Sequence, residues 1–303
     1  MMDTIPLQQI YKSERKFCLS YPLNDTRLRA SLEKFGIIEP LVLLDSPDAS
    51  LVTGFKRLES ARQLNIKKIP VIRVHLTEKE ALLFAIHSNL SRGFNTIEKA
   101  LTLEKMVHMG FSQEEIQDVM ALFSLSPHEK ILKNFLSMAS AEKPLKDFIL
   151  DNRLSMKNIE YLLRFEEQER KMIMKKLTSM RLTESYIREI LEMLHLAKIK
   201  RGSFDKTVLK GAKNSEDLRA KLKKKIHPGL SALEKKLEQI RKKSALPPGI
   251  DIKVDPFFEK EYIDIVIRTK NEQDTKKLIR KLDEVLEEGH IRSVLELTKG
   301  RVR

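Results

Sequence analysis

The sequence predicts an α+β protein that is mostly helical, built from a small α/β domain, an all-α domain and a small αββα tail. Three observations carry this. Short runs of branched residues alternate with amphipathic segments up to about residue 74, purely helical periodicity follows for about a hundred residues, and apolar residues alternate with polar ones near residues 250 and 265. A chain of 303 residues exceeds one ordinary core. The expected division is 1–94, 95–200, a basic linker over 201–230, and 231–303.

In the first part, Leu41 to Leu44 and Ile69 to Val74 read as buried strands. Asp25 to Phe35 is an amphipathic helix stopped by Gly36, and Lys56 to Leu64 is a helix following a turn at Gly54. Thr77 and Glu80 have the spacing of a capping box and open a helix to about Leu90. In the second part, Ser112 with Glu115 opens one helix in the same way. Ser126, followed by Pro127 and Glu129, opens another with proline at its first position. The short link around Phe123 to Leu125 is that of a helix-turn-helix. Further helices span about 142–152, 155–165, 166–180 and 183–199, with Ser155 and Thr183 as caps.

The segment 203–230 is lysine-rich and weakly periodic, which reads as a loosely ordered arm. Ser231 and Glu234 open a helix to about Lys243, and two half-buried strands around Ile250–Val254 and Ile263–Ile267 lead to the amphipathic helix Glu272–Glu288. A tail this small buries little alone, which points to a homodimer formed through it.

Composition excludes several classes. No apolar run is long enough for a membrane span, and the start lacks the pattern of a secretion signal. The single cysteine, Cys18, can form neither an internal disulfide nor a thiolate cluster. A cytoplasmic protein is expected. The seven histidines lack metal-site spacing, and no phosphate-binding loop of the GxxxxGK[ST] type occurs. The net charge of +14 is concentrated: from Lys198 to Lys243, 16 Lys and Arg stand against 5 Asp and Glu. A polyanion is the natural partner of such a block, with Lys223, Lys224 and Lys225 at its centre, although a solvated helix face is the alternative.

Three constellations could carry chemistry. Gly54, Lys56 and Arg57 lie where a strand turns into a helix, and backbone donors plus two cations there suit an anion. Asn89 and Arg92 stand one turn apart, either to reach one ligand or to close a helix C-terminus before Gly93. The helix after Ser126 has a stripe of Ile131, Leu132, Phe135 and Leu136 as its buried side. Its other face carries His128, Lys130, Lys133, Asn134 and Ser137, which with Ser126 at the helix start suit phosphates and base edges of double-stranded DNA, the alternative being a helical hairpin with a solvated basic face.

Taken in order, these pieces resemble the ParB family of partition proteins. The run from Arg27 to Leu43 is similar to the family's first box, and residues 54–61 stand in the place of its GERRxRA box. Ser88 to Arg92 with Asn95 to Ala100 resembles its ENxxR and LNPIEEA box. The resemblance implies a nucleoid-associated DNA-binding protein of chromosome or plasmid partition, with a ParA-type ATPase as a further partner. It also implies CTP and magnesium at the three boxes, placing nucleotide contacts on Gly54, Lys56, Arg57, Asn89 and Arg92, with Asn89 facing the metal. At most a CTPase follows. This chain departs from the pattern at Phe55, Lys56 and Glu59 of the second box and at Ser88, which replaces a metal-binding glutamate of the third. A hard cation needs charged oxygen ligands, so the last change weakens magnesium binding. The alternative is a transcription regulator of the same type that no longer uses nucleotide.

Overall fold

The computed structural model describes residues 2–10, 15–46, 49–180, 182–255, 258 and 260–299. The chain divides into two compact units, Met1–Met174 and Lys175–Arg303.

The first unit opens with β1 (Met2–Pro6), α1 (Thr26–Phe35), β2 (Leu41–Leu44), β3 (Leu51–Thr53), α2 (Phe55–Gln63), β4 (Lys68–Val74) and α3 (Glu78–Asn89). The sheet order is β1-β4-β2-β3. Strand β4 lies parallel to β2, while β1 and β3 run antiparallel to their neighbours. Leu41, Leu43, Ile69 and Val71 are fully buried, and Leu32 of α1 with Leu58 and Ala61 of α2 complete the core around them. Asp25 caps α1, accepting from the Leu28 amide at 3.1 Å. Strand β1 has no counterpart among the sequence expectations. Its polar, proline-ended run carries no clear alternation, and only pairing along β4 makes it a strand.

The unit continues with α4 (Thr96–His108), α5 (Gln113–Leu122), α6 (Glu129–Ala139), α7 (Lys143–Asp151), α8 (Met156–Leu163) and α9 (Glu167–Met180), within which the unit boundary falls. Helix α4 is the axis of this layer. Its Ile97, Ala100, Leu103 and Met106 are wholly buried, and α5, α6 and α7 pack around it. The capping boxes at Thr77 and Ser112 form, and a third, Asn95 with Glu98, opens α4. Ser155 precedes α8 but makes no capping hydrogen bond, and the Thr183 hydroxyl contacts Ser185 instead of a backbone amide.

The second unit holds α10 (Glu184–Arg201), α11 (Lys206–Gly211), α12 (Ser215–Ile226), α13 (Pro228–Ser244), β5 (Ile250–Lys253), β6 (Asp264–Ile267), α14 (Glu272–Glu287) and α15 (His290–Thr298). The segment expected to be a loose arm, 203–230, differs from that reading. It forms α11 and α12, whose Val208, Leu209, Leu218, Leu222 and Ile226 are buried. Helix α12 packs against α10. Helix α13 begins at Pro228, so Ser231 lies inside it rather than capping it. Strands β5 and β6 pair antiparallel with Ile252 opposite Ile265. Leu237, Val285, Ile291, Val294 and Leu297 form one core with Ile252, so α15 joins α13 and α14 in closing the tail.

The packed state of α12 has a measurable consequence. Leu222 is 0% exposed, so Leu222→Ala is expected to destabilise the chain by about 2–5 kcal/mol. Urea unfolding would show this as a lowered midpoint with an unchanged slope. An unchanged midpoint would return 203–230 to the status of a linker.

Candidate nucleotide and nucleic-acid sites

The turn from β3 into α2 is shaped by Gly54. Its φ is +102°, and a Cβ there would stand 2.9 Å from Leu41 Cγ. Glycine is required both by the left-handed backbone and by the close approach of β2. No side chain caps α2, so the amides of its first turn have neither an intrahelical acceptor nor a side-chain cap. The two cations of this turn are already engaged. Lys56 lies 3.6 Å from Asp25. Arg57 Nη1 donates to the carbonyls of Glu39 (2.7 Å) and Pro40 (3.0 Å) and pairs with the Glu39 carboxylate at 3.2 Å. Burial pulls the Arg57 guanidinium below its usual value and Glu39 acts against this. Arg57 thus holds the loop between α1 and β2 against the start of α2, the edge an anion would meet.

Asn89 and Arg92 do come together, at the end of α3. Arg92 Nε donates to Asn89 Oδ1 at 2.7 Å, and Asn89 Nδ2 donates back to the Ala85 carbonyl at 2.7 Å. The Arg92 guanidinium also donates to the Gly93 carbonyl (3.1 Å) and to Glu98 Oε2 (2.9 Å), and it lies over the Phe94 ring. Phe94 in turn packs on Phe123, the C-cap of α5, with ring centroids 4.8 Å apart. Among the described residues no hydrogen bond or ion pair joins this cluster to Lys56 or Arg57.

Glu98 was absent from the sequence-based set, yet it is buried at the centre of this cluster. Its side chain is 1% exposed while that of Arg92 is 34% exposed. Its carboxylate accepts from Arg92, from the Asn95 amide at 3.1 Å and from the Tyr21 amide at 3.1 Å. Asn95 Nδ2 donates to the Tyr21 carbonyl at 2.7 Å, and the Tyr21 hydroxyl donates to Asp147 of α7 at 2.6 Å. Burial together with this bond pushes the Tyr21 hydroxyl well above the usual tyrosine range. The Asn95–Glu98 spacing is a legible signal for the cap, but nothing in the sequence places Tyr21 upon it.

A magnesium ion does not fit the residues present. Ser88, where the resemblance expects a carboxylate, bonds back to the Phe84 carbonyl at 2.7 Å, and Asn89 Oδ1 is taken by Arg92. Among the described residues no group of three His, Cys, Asp or Glu is placed to hold a metal. Phosphate oxygens match the chemistry of the α2 turn and of Arg92 better.

The candidate DNA face lies on α6. Ser126, His128, Lys130 and Lys133 are exposed. Six residues, 123–128, link α5 to α6, and His128 rather than Ser126 stands at the N-cap, so Pro127 precedes the helix instead of starting it. The buried side is Phe135, Met138 and Ala139, whereas Ile131, Leu132 and Leu136 are half-buried. The stripe is therefore rotated toward α4 relative to the expected one. Asn134 falls away from the proposed face, for its Nδ2 donates to Glu160 of α8 at 2.8 Å. Lys133 pairs with Glu129 at 2.8 Å on the surface, a weak interaction that a phosphate can displace.

In the second unit the lysines expected as a DNA arm are partly structural. Lys223 pairs with Glu234 and Lys225 with Asp205, leaving Lys224 as the exposed member of the three. Asp205 also takes Arg201 and caps α11, and bonds from Lys225 and Thr207 hold its carboxyl far below the usual range. Lys176 and Lys200 donate to the carbonyls of Ala212 and Ile226 at the ends of α11 and α12.

A basic turn between strand and helix thus lies on a small mixed sheet that a helical layer follows. Residues 3–90 match the family model described as the ParB N-terminal domain. The chain is similar to the probable chromosome-partitioning protein ParB of Vibrio cholerae, 24% identical over 54% of this chain and 57% of that protein. The chromosome-partitioning protein Spo0J of Thermus thermophilus is 31% identical over 29% of this chain and 34% of its own length. The chain thus spans between a third and just over half of these relatives. A C-terminally truncated ParB from Caulobacter crescentus, solved with the centromeric parS site, aligns over 63% of this chain and 98% of its own at 16% identity, with a TM-score of 0.36.

Proposed function

We propose that the chain is a DNA-binding protein of ParB type that acts in chromosome or plasmid partition or nucleoid organisation. The observation that carries this reading is the match to the ParB N-terminal domain followed, after α4, by the α5–α6 pair with an exposed basic helix start. Ser126, His128, Lys130 and Lys133 contact the duplex, with Lys224 supplying a separate backbone contact. A homodimer formed through the C-terminal αββα segment doubles these contacts, and a ParA-type ATPase is its expected partner. What supports pairing is the small size of the tail core and the exposure of Tyr262, Ile279 and Leu286 on it.

Binding measured by fluorescence anisotropy on duplex DNA should weaken steeply with salt, since each neutralised phosphate contributes a slope of about −0.9. Lys130→Ala with Lys133→Ala should lower the slope by about two units. Salt-independent binding, or none, contradicts the proposal.

For the nucleotide, we infer that a phosphate chain lies along the α2 turn, with Gly54 shaping the backbone and Lys56, Arg57 and Arg92 as cations that exchange their present partners. A transcription regulator without nucleotide use is the second reading. It is favoured by the engagement of Arg57 and Arg92 and by Ser88 in place of a carboxylate. Titration calorimetry with CTP and magnesium separates the two: heat that disappears in Arg57→Ala supports the switch, and silence in the parent protein supports the regulator.

A further inference from the structure

The link from α5 to α6, residues 123–128, sets where the exposed start of α6 stands. Ser124 in this link has a φ of +55°, in the left-handed region that residues other than glycine occupy at a cost. Its amide donates to the Ala121 carbonyl at 2.9 Å, and the Leu125 amide donates to the Met120 carbonyl at 2.8 Å. The turn thus wraps back on the end of α5 with a serine where glycine is the usual choice. A backbone held this way persists only when its surroundings determine it.

Helix α4 supplies the support. Lys99 Nζ donates to the Phe123 carbonyl at 2.8 Å and lies over the Phe123 ring, 5.8 Å from its centroid. Phe123 is buried, and Phe94 packs on its ring. The Phe123 carbonyl stands at the C-cap of α5, among the groups that a helix leaves without an internal partner. A cationic donor there makes a strong, charge-assisted bond and suits the helix dipole. The segment leading into α5 has a matching anchor, for Lys79 of α3 donates to the Gly110 carbonyl at 2.7 Å and lies over the Phe111 ring. Because α6 also packs on α4, Lys99 ties the link to the helix that carries α6.

We propose that Lys99 is the positioning residue of the α5–α6 pair, fixing the link and with it the DNA-facing start of α6 at Ser126, His128 and Lys130, without touching DNA itself. The DNA half rests on the binding reading given above; the anchoring of the link does not. A lysine on a phosphate releases a counterion and adds to the salt dependence of binding, whereas a lysine spent on a carbonyl does not.

Fluorescence anisotropy on duplex DNA, with the full chain, separates the two roles. Lys99→Met keeps the stem and removes the ammonium. It should weaken binding about threefold or more at every salt concentration, with the slope of the parent protein. Lys99→Arg, which keeps a cationic donor, should restore most of the affinity. The Leu125 amide reports on the link itself, read by residue-resolved hydrogen exchange without DNA. In Lys99→Met it should exchange about tenfold faster, while the Met106 amide of α4 keeps its parent rate. A slope lowered by about one unit in Lys99→Met makes Lys99 a phosphate contact and overturns the proposal. Unchanged affinity overturns it too, as does unchanged Leu125 exchange or an equal speeding of Met106, which reads as unfolding of the whole layer. If the parent protein binds no duplex, the DNA-binding reading falls and the positioning role falls with it.

Discussion

The first unit turns on one ion pair whose carboxylate is closed to solvent. Glu98 gathers the end of α3, the start of α4 and the segment at Tyr21 onto one carboxylate, and Arg92 supplies the charge that makes its burial tolerable. Neither the sheet domain nor the helical layer needs this carboxylate for its own core, since each has a separate set of buried apolar residues. What the pair does is fix one against the other. The same guanidinium is one-third exposed, so the charge partner of a closed carboxylate stands at the surface.

Basic charge acts in two ways along the chain. On α6, Lys130 and Lys133 are exposed on a helix whose buried side is anchored to α4, and Lys133 pairs with Glu129 on the surface. In the second unit, Lys176, Lys200, Lys223 and Lys225 reach carbonyls and carboxylates at helix ends. A lysine count therefore overstates the surface free for a polyanion, and Lys224 is what remains of the central triplet.

The sequence made several elements legible because their signals are local. Capping boxes at Thr77 and Ser112, the Gly54 turn and the alternation of β5 and β6 each need only neighbouring residues. Strand β1 was not legible, since it exists through pairing with β4. Helix α12 was hidden differently. Leu218, Leu222 and Ile226 have true helical spacing, but they sit among lysines whose charge suggests solvent, and burial against α10 decides the matter. At the site, Arg92 and Asn89 were readable as a pair, while Glu98 and Tyr21, 77 residues apart, meet only in the fold. Asn134 shows the reverse case, a polar residue on the expected DNA face that is spent on α8.

The most direct test of this account is a double-mutant cycle on Arg92→Gln and Glu98→Gln, read by urea unfolding of the full chain. If the ion pair holds the two layers together, each single substitution destabilises and the double is milder than their sum, with a coupling of about 1–3 kcal/mol. Additivity within about 0.5 kcal/mol would mean that the pair carries no joint role and that the layers are fixed by packing alone.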